Sequence, residues 1–87
     1  MSTAHANLED LRRLQQSVRR AQEQIEQTIK TLQRDLNGAD WKDSARRDFE
    51  AKLKEASSAL HQSNSRLGEL TPILTRKISE LSTYLRR

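Results

Sequence analysis

Apolar residues recur every three or four positions along two long stretches of this chain, and one short break separates them. In the first stretch Leu8, Leu11, Leu14, Val18, Ala21, Ile25, Ile29, Leu32 and Leu36 line one face of a helix expected over residues 5–36. Its other faces carry mainly Arg, Gln and Glu, and neither Gly nor Pro interrupts it. In the second stretch Trp41, Ala45, Phe49, Leu53, Ala56, Leu60, Leu67, Leu70, Leu74, Ile78, Leu81 and Leu85 continue the pattern over a helix expected at residues 42–85. Ser63 fills the one polar position of that stripe. From 41 to 85 the mean step is about 3.67 residues, the eleven-residue spacing of nearly straight helices, so a tight left-handed coiled coil is not expected.

The break reads Asn37-Gly38-Ala39-Asp40-Trp41-Lys42-Asp43 and contains the chain's only Trp. Gly38 suits the left-handed position that ends a helix, and the Asp40 carboxylate suits the exposed N–H groups at the start of the next one. The expected fold is therefore all-α: an antiparallel two-helix hairpin forming a single domain over residues 1–87, with its bend at 37–41. Pro72 removes one backbone hydrogen bond and crowds the carbonyl of Gly68. Either the second helix kinks there, or it stops near Gly68 and restarts with Thr71 as cap and Pro72 in the first turn. The stripe keeps its phase across Leu67, Leu70, Leu74 and Ile78, which favours a kink near Pro72.

Length then adds an expectation that neither helix carries alone. At 1.5 Å per residue, a first helix of about 31 residues reaches about 46 Å and a second of about 45 reaches about 67 Å. Folding back from the bend, residue 36 should face the low forties. Leu74, Ile78, Leu81 and Leu85 would then extend beyond helix one as an unpaired apolar tail, available to another protein or folded down over the hairpin's end.

Only 33% of the 87 residues are hydrophobic, so the core is thin. The chain has no Cys, which removes disulfides and thiolate metal sites as compensation and leaves a second chain as the usual remedy. No apolar run is long enough for a membrane span, and the opening residues lack the basic region and apolar run of a secretory signal. The protein is expected to be cytoplasmic as synthesised, with export by a route that reads no cleaved signal peptide left open.

Sixteen Lys and Arg against twelve acids give a net charge of +4, which raises nucleic-acid binding as an alternative. Most of these charges read as solvated helix faces. Glu9/Arg13, Glu26/Lys30, Asp43/Arg47, Asp48/Lys52 and Glu50/Lys54 all have the favourable four-residue spacing, and the only aromatics are Trp41, Phe49 and Tyr84. His5 lies near a terminus, and His61 has no Glu three residues before it and no second His one turn away. Neither a di-iron bundle site nor a zinc site is expected. No phosphate loop or nucleophile motif is present, and a hairpin offers little concave volume, so no catalytic residue, cofactor or small-molecule substrate is assigned. Trp41 has two readings: a plug against Leu32 and Leu36 with Phe49 above it, or an interface anchor combining a large ring with a polar N–H.

The bend Trp41-Lys42-Asp43, Phe49 eight residues beyond the Trp, and the line Leu53, Leu60, Leu67, Leu74, Ile78 and Leu85 resemble the W-x-G family of small helical hairpins. These are the early-secreted-antigen-like substrates and partners of type VII secretion systems. The likeness covers nearly the whole chain in size and layout. Asp43 stands where the family usually has Gly, which makes this a W-x-D variant. An acid in the first helical turn is physically compatible with that place, because it meets the positive end of the helix dipole and can support the Asp40 cap. The family's export signal places an acid four residues after a Tyr, whereas here Tyr84 is followed by Leu85-Arg86-Arg87. The resemblance implies a dimeric hairpin forming a four-helix bundle; the expected interface is the unpaired tail Leu74, Ile78, Leu81 and Leu85, together with Phe49.

The function expected is a non-enzymatic interaction module. It would homodimerise or pair with a related hairpin and serve as a secretion-associated effector, partner or adaptor. A basic helical nucleic-acid-binding protein and a coiled-coil subunit of a larger assembly are the alternatives.

Overall fold

Asn7 opens the first helix of the protein by accepting, through its side-chain oxygen, the backbone N–H of Asp10 at 3.1 Å. Glu9 and Asp10 sit in the first turn, where the helix dipole favours acids. The computed structural model describes residues 6–86, and the regular elements among them are α1 (Leu8–Gly38), α2 (Ser44–Gly68) and α3 (Leu70–Leu85). The expected start at residue 5, and His5 itself, lie outside the described residues. The all-helical hairpin is as expected, while several of its boundaries differ.

The first difference is at the bend. α1 runs through Gly38 and gives way at Ala39, which is extended (φ −78°, ψ 139°) and donates its N–H to the carbonyl of Leu36 at 3.2 Å. No described residue has positive φ, so Gly38 does not take the left-handed conformation expected of it. The chain leaves α1 along an open path instead of reversing tightly, and such a path needs no left-handed residue. The second helix begins at Ser44 rather than at 42.

The interruption near Pro72 is a kink of a single residue. Glu69 alone separates α2 from α3; it keeps right-handed helical dihedrals (φ −69°, ψ −19°), and its N–H reaches the carbonyls of Ser65 and Arg66 at 3.2 and 3.1 Å. Thr71 does not cap a new helix. Pro72 is the third residue of α3, where its missing N–H would otherwise have bonded to Gly68, and the strain appears three residues upstream of the ring. Residues 44–85 thus form one long, slightly broken rod of about 63 Å at 1.5 Å per residue, matching the molecule's longest dimension of 67 Å.

α1 packs antiparallel against both α2 and α3. Gln15 donates to Thr75 Oγ1 at 3.1 Å, and Gln22 Nε2 lies 3.4 Å from the backbone oxygen of Asn64. A Cβ added at Gly68 would stand 3.1 Å from the same Gln22 nitrogen. Continued at this spacing, the register sets the start of α1 level with Leu81 and its end level with Leu53. Leu36 shares a slot with Trp41 and Phe49 at the bend and a groove with Leu53 along the arm, so the opening turn of α2 projects beyond the end of α1. This displacement gives the far end of the long arm a partner. Leu81 is only 7% exposed, and Leu74 and Ile78 are half-buried, so these three residues belong to the hairpin's own packing and do not form an unpaired tail. Leu85 remains 62% exposed.

The buried line also differs from the apolar stripe. Along α1 the inward positions are Leu8, Leu11, Gln15, Val18, Gln22, Ile25, Ile29 and Leu36, with Leu32 at the edge; along α2 and α3 they are Leu53, Ser57, Leu60, Asn64, Leu67, Thr71, Leu74, Ile78 and Leu81. Steps of three and four alternate strictly, which is the seven-residue pattern of a left-handed antiparallel coiled coil. Polar residues hold several inward places, while Leu14, Ala56, Ser63 and Leu70 of the apolar stripe stand to one side. Ser57 is 7% exposed and is the one buried polar residue among those described; Ser63, expected in the stripe, is exposed.

This packing predicts unequal effects at two leucines of the last two turns. Leu81→Ala should destabilise the hairpin by about 2–3 kcal/mol, the low end of the range for a buried Leu. Leu85→Ala should change stability by no more than about 0.5 kcal/mol. Urea unfolding followed by circular dichroism compares them; equal losses would mean that the far end of α3 is not packed on α1.

Candidate functional site

Two features stand out from the bare hairpin: a small polar knot at the bend, and one apolar side of the rod. The knot is built on Asp43. Its backbone is extended (φ −88°, ψ 178°), and its Oδ1 accepts the N–H of Ala45 at 3.0 Å, which caps α2. The same oxygen accepts the Trp41 indole N–H at 2.7 Å. Arg46 then reaches back to donate to the Trp41 carbonyl at 3.0 Å, and its guanidinium lies 3.4 Å from Glu50. Asp43 is therefore the cap of the second helix in place of Asp40, which is exposed in the connection and has no capping role. Both acids flank Trp41, but only Asp43 immediately precedes the first helical residue, where a side chain can meet the N–H two residues on.

The knot explains why an acid suits the second place after the Trp. Glycine there could neither cap the helix with a side chain nor bind the indole, whereas one carboxylate oxygen of Asp43 does both. Trp41 is held with its polar edge satisfied and its ring tilted against Phe49, the centroids 5.4 Å apart and the planes at 59°. Its ring, Phe49, Leu32, Leu36 and Ala39 line a shallow, mainly apolar slot at the end of the hairpin. The plug reading of Trp41 fits its half-buried state, and the ring also contributes to an open surface.

That slot is one end of a longer apolar side. In an antiparallel pair with seven-residue repeats, the residues just before one set of core positions on each helix fall on the same side of the pair. Here they are Leu14, Ala21, Thr28 and Asp35 on α1, with Phe49, Ala56, Ser63, Leu70, Lys77 and Tyr84 on the long arm. Leu14 is 53% exposed, Phe49 and Leu70 are each 43% exposed, and neighbouring Ile73 is 64% exposed. The opposite side carries Arg12, Arg19, Arg47, Lys54 and His61, together with the polar Gln15/Thr75 and Gln22/Asn64 contacts. The rod thus gathers several of its most exposed apolar residues on one side, among the polar Thr28, Asp35, Ser63 and Lys77, while the other side is mainly polar, with Leu36 and Leu53 lining a groove beside Lys54, Ser57 and His61.

Of the expected interface residues, only Phe49 lies on this open side; Leu74, Ile78 and Leu81 are turned inward, and exposed Leu85 is in the last turn of α3. The residues missed were Leu70 and Ile73, an apolar pair flanking Pro72. The five expected four-residue ion pairs are not the ones formed among the described residues. Asp10–Arg13 at 3.2 Å, Arg46–Glu50 at 3.4 Å and Arg34–Asp35 at 3.8 Å are, with the Arg13 and Arg34 pairs well exposed and correspondingly weak. No helix of the described residues is long and apolar enough to cross a membrane. Comparisons with protein-family models, curated proteins and solved structures give no match.

Removing the Asp43 carboxylate should both fray α2 and loosen the ring. Asp43→Ala is expected to cost about 1–2 kcal/mol, as for loss of a good N-cap, and to raise the solvent quenching of Trp41 fluorescence. Asp43→Asn, which keeps an acceptor oxygen, should retain most of both. If Asp43→Ala leaves stability and quenching unchanged, the knot does not hold the bend.

Proposed function

We propose that this chain is a non-enzymatic protein-interaction module whose hairpin pairs with a second hairpin, its own copy or a related one, into a four-helix bundle. The observation that carries this reading is the imbalance between the apolar side and the core. Ile29 and Leu81 are the only hydrophobic residues below a tenth exposed among those described, no described side chain is fully buried, and Leu14, Phe49, Leu70 and Ile73 remain open on one side. Two helices in contact offer each residue at most one neighbouring surface. A four-helix arrangement would cover the second, which is the physical reason that isolated hairpins of this size are marginal.

The W-x-D bend supports placing this module beside the W-x-G hairpins, and we take its role to be that of a secretion-associated effector, partner or adaptor exported without a cleaved signal peptide. The Trp41–Asp43 bond gives the variant motif a structural reason of its own. Export is the further step of the proposal, to be tested by following tagged protein in the medium of cells with and without a working secretion ATPase.

For self-pairing, light scattering should report a species of about 20 kDa, twice the 10.1 kDa chain, with a melting temperature that rises with protein concentration. Leu70→Asp together with Ile73→Asp should shift it to monomer, because charges would enter the apolar contact. A charge at Leu81 would instead strike the hairpin's own packing, where that residue is 7% exposed. A wild-type protein that stays monomeric at high micromolar concentration would rule out the homodimer and leave the related hairpin as partner.

A further inference from the structure

Ser57 holds an inward position between Leu53 and Leu60 and is 7% exposed, yet it is the smallest side chain of that line. A leucine there would close the seam; a serine leaves room that opens sideways. The result is a groove of about 530 Å³ on the side of the rod that hairpin pairing leaves uncovered. The arm lines it from Glu50 to Ser65 in alternating steps of three and one, the positions presented by one face of a helix, so it runs along the arm for about 22 Å at 1.5 Å per residue. α1 adds Gln33 and Leu36 toward the bend, where Leu36 and Leu53 form the apolar part of the lining. Beyond them the wall is low: Ser57, Ser58 and Ser65 end at a hydroxyl, which lets another helix come close to the arm.

The charges in the wall select the sign of the ligand. Glu50 is held by Arg46, whose guanidinium lies 3.4 Å away, so its charge is already compensated. Lys54 makes no ion pair among the described residues, although Glu50 stands one turn before it, and His61 brings a further polar group to the same wall. Arg47, seven residues before Lys54, is exposed on the same side, while Glu26 of α1 lies one repeat from Gln33, toward the far end. The end nearest the bend is therefore apolar at its floor and cationic at its rim. A ligand that complements it carries an apolar group for Leu36 and Leu53 with acids beside it for Lys54 and Arg47. A nucleic acid would leave both leucines uncovered. An alkyl chain would lie on the hydroxyls of Ser57, Ser58 and Ser65 for most of its length, burying them without a hydrogen-bond partner.

We infer that the groove is a docking site for one amphipathic helix of a partner protein, about four turns long, with an apolar anchor flanked by acidic residues at the end nearest the bend. The site is separate from the side on which a second hairpin packs. The serine at position 57 gives up core packing to keep the groove open, and Lys54 and Arg47 set which helices enter it.

Two fluorescent helical peptides of about four turns, alike in a leucine stripe and differing only in glutamate or lysine beside it, serve as probes in anisotropy titrations. The glutamate peptide should bind and the lysine peptide should not. Ser57→Leu, which fills the groove from within, should melt at an equal or higher temperature and weaken the glutamate peptide by about tenfold or more. Lys54→Glu should weaken it as well and admit the lysine peptide. Leu70→Asp with Ile73→Asp, on the other side of the rod, should leave its affinity unchanged, which separates this site from hairpin pairing. Absence of glutamate-peptide binding, equal binding of the two peptides, undiminished binding to Ser57→Leu, or loss of binding in the Leu70 and Ile73 variant would each overturn the docking site. Laurate bound in place of the glutamate peptide, and lost in Ser57→Leu, would overturn it in favour of an alkyl ligand.

Discussion

The antiparallel alignment of α1 with the long arm is the constraint on which the rest of this molecule depends. It determines that Leu81 is packed and Leu85 is open, that the opening turn of α2 overhangs α1, and that Trp41 has a slot to sit in. The alignment is set from two places at once. Along the seam, Leu81, Ile78 and Leu74 pack against α1, and Gln15 reaches Thr75 while Gln22 reaches the backbone oxygen of Asn64. At the bend, an open connection capped at its far end by Asp43 allows the long arm to start beyond the end of α1 instead of beside it.

Much of this architecture is legible in the amino-acid pattern, and the failures have identifiable causes. Two helices and one bend follow from apolar spacing alone, because stretches of more than 30 residues carry enough repeats to define a face. The inward line was obscured because Gln15, Gln22, Ser57, Asn64 and Thr71 hold seam positions. A count of apolar residues passes over them and follows the neighbouring Leu14, Ala21, Ala56 and Leu70 instead. That substitution lengthens the apparent period from seven residues in two turns to eleven in three. The signal that could have corrected it was present in the strict seven-residue run from Leu53 to Leu81.

The bend shows a different kind of limit. Two acids flank Trp41, and both are good caps by residue type, so chemistry alone does not choose between Asp40 and Asp43. The choice depends on where the backbone turns helical, a property of the whole hairpin rather than of seven residues. The same applies to the apolar tail: its exposure followed from assuming a tight reversal, and the overhang of α2 was enough to bury Leu81. The candidate docking side was partly visible at Phe49. Leu70 stood in the apolar stripe and Ile73 beside it, and neither was assigned to a surface, because a stripe residue is expected to face the other helix.

The division of the rod into a wet edge and a dry side has a consequence for how far assembly can go. A helix pair that is apolar on both sides can keep adding layers, and its growth has no natural end. Here the edge lined by arginine, lysine, histidine and the seam amides is the more polar one, its apolar surface confined to a groove at Leu36 and Leu53, so covering the opposite side leaves less apolar surface facing outward. A second hairpin would thus complete the structure instead of extending it, and stoichiometry would be limited by the polarity of one edge without any dedicated blocking element.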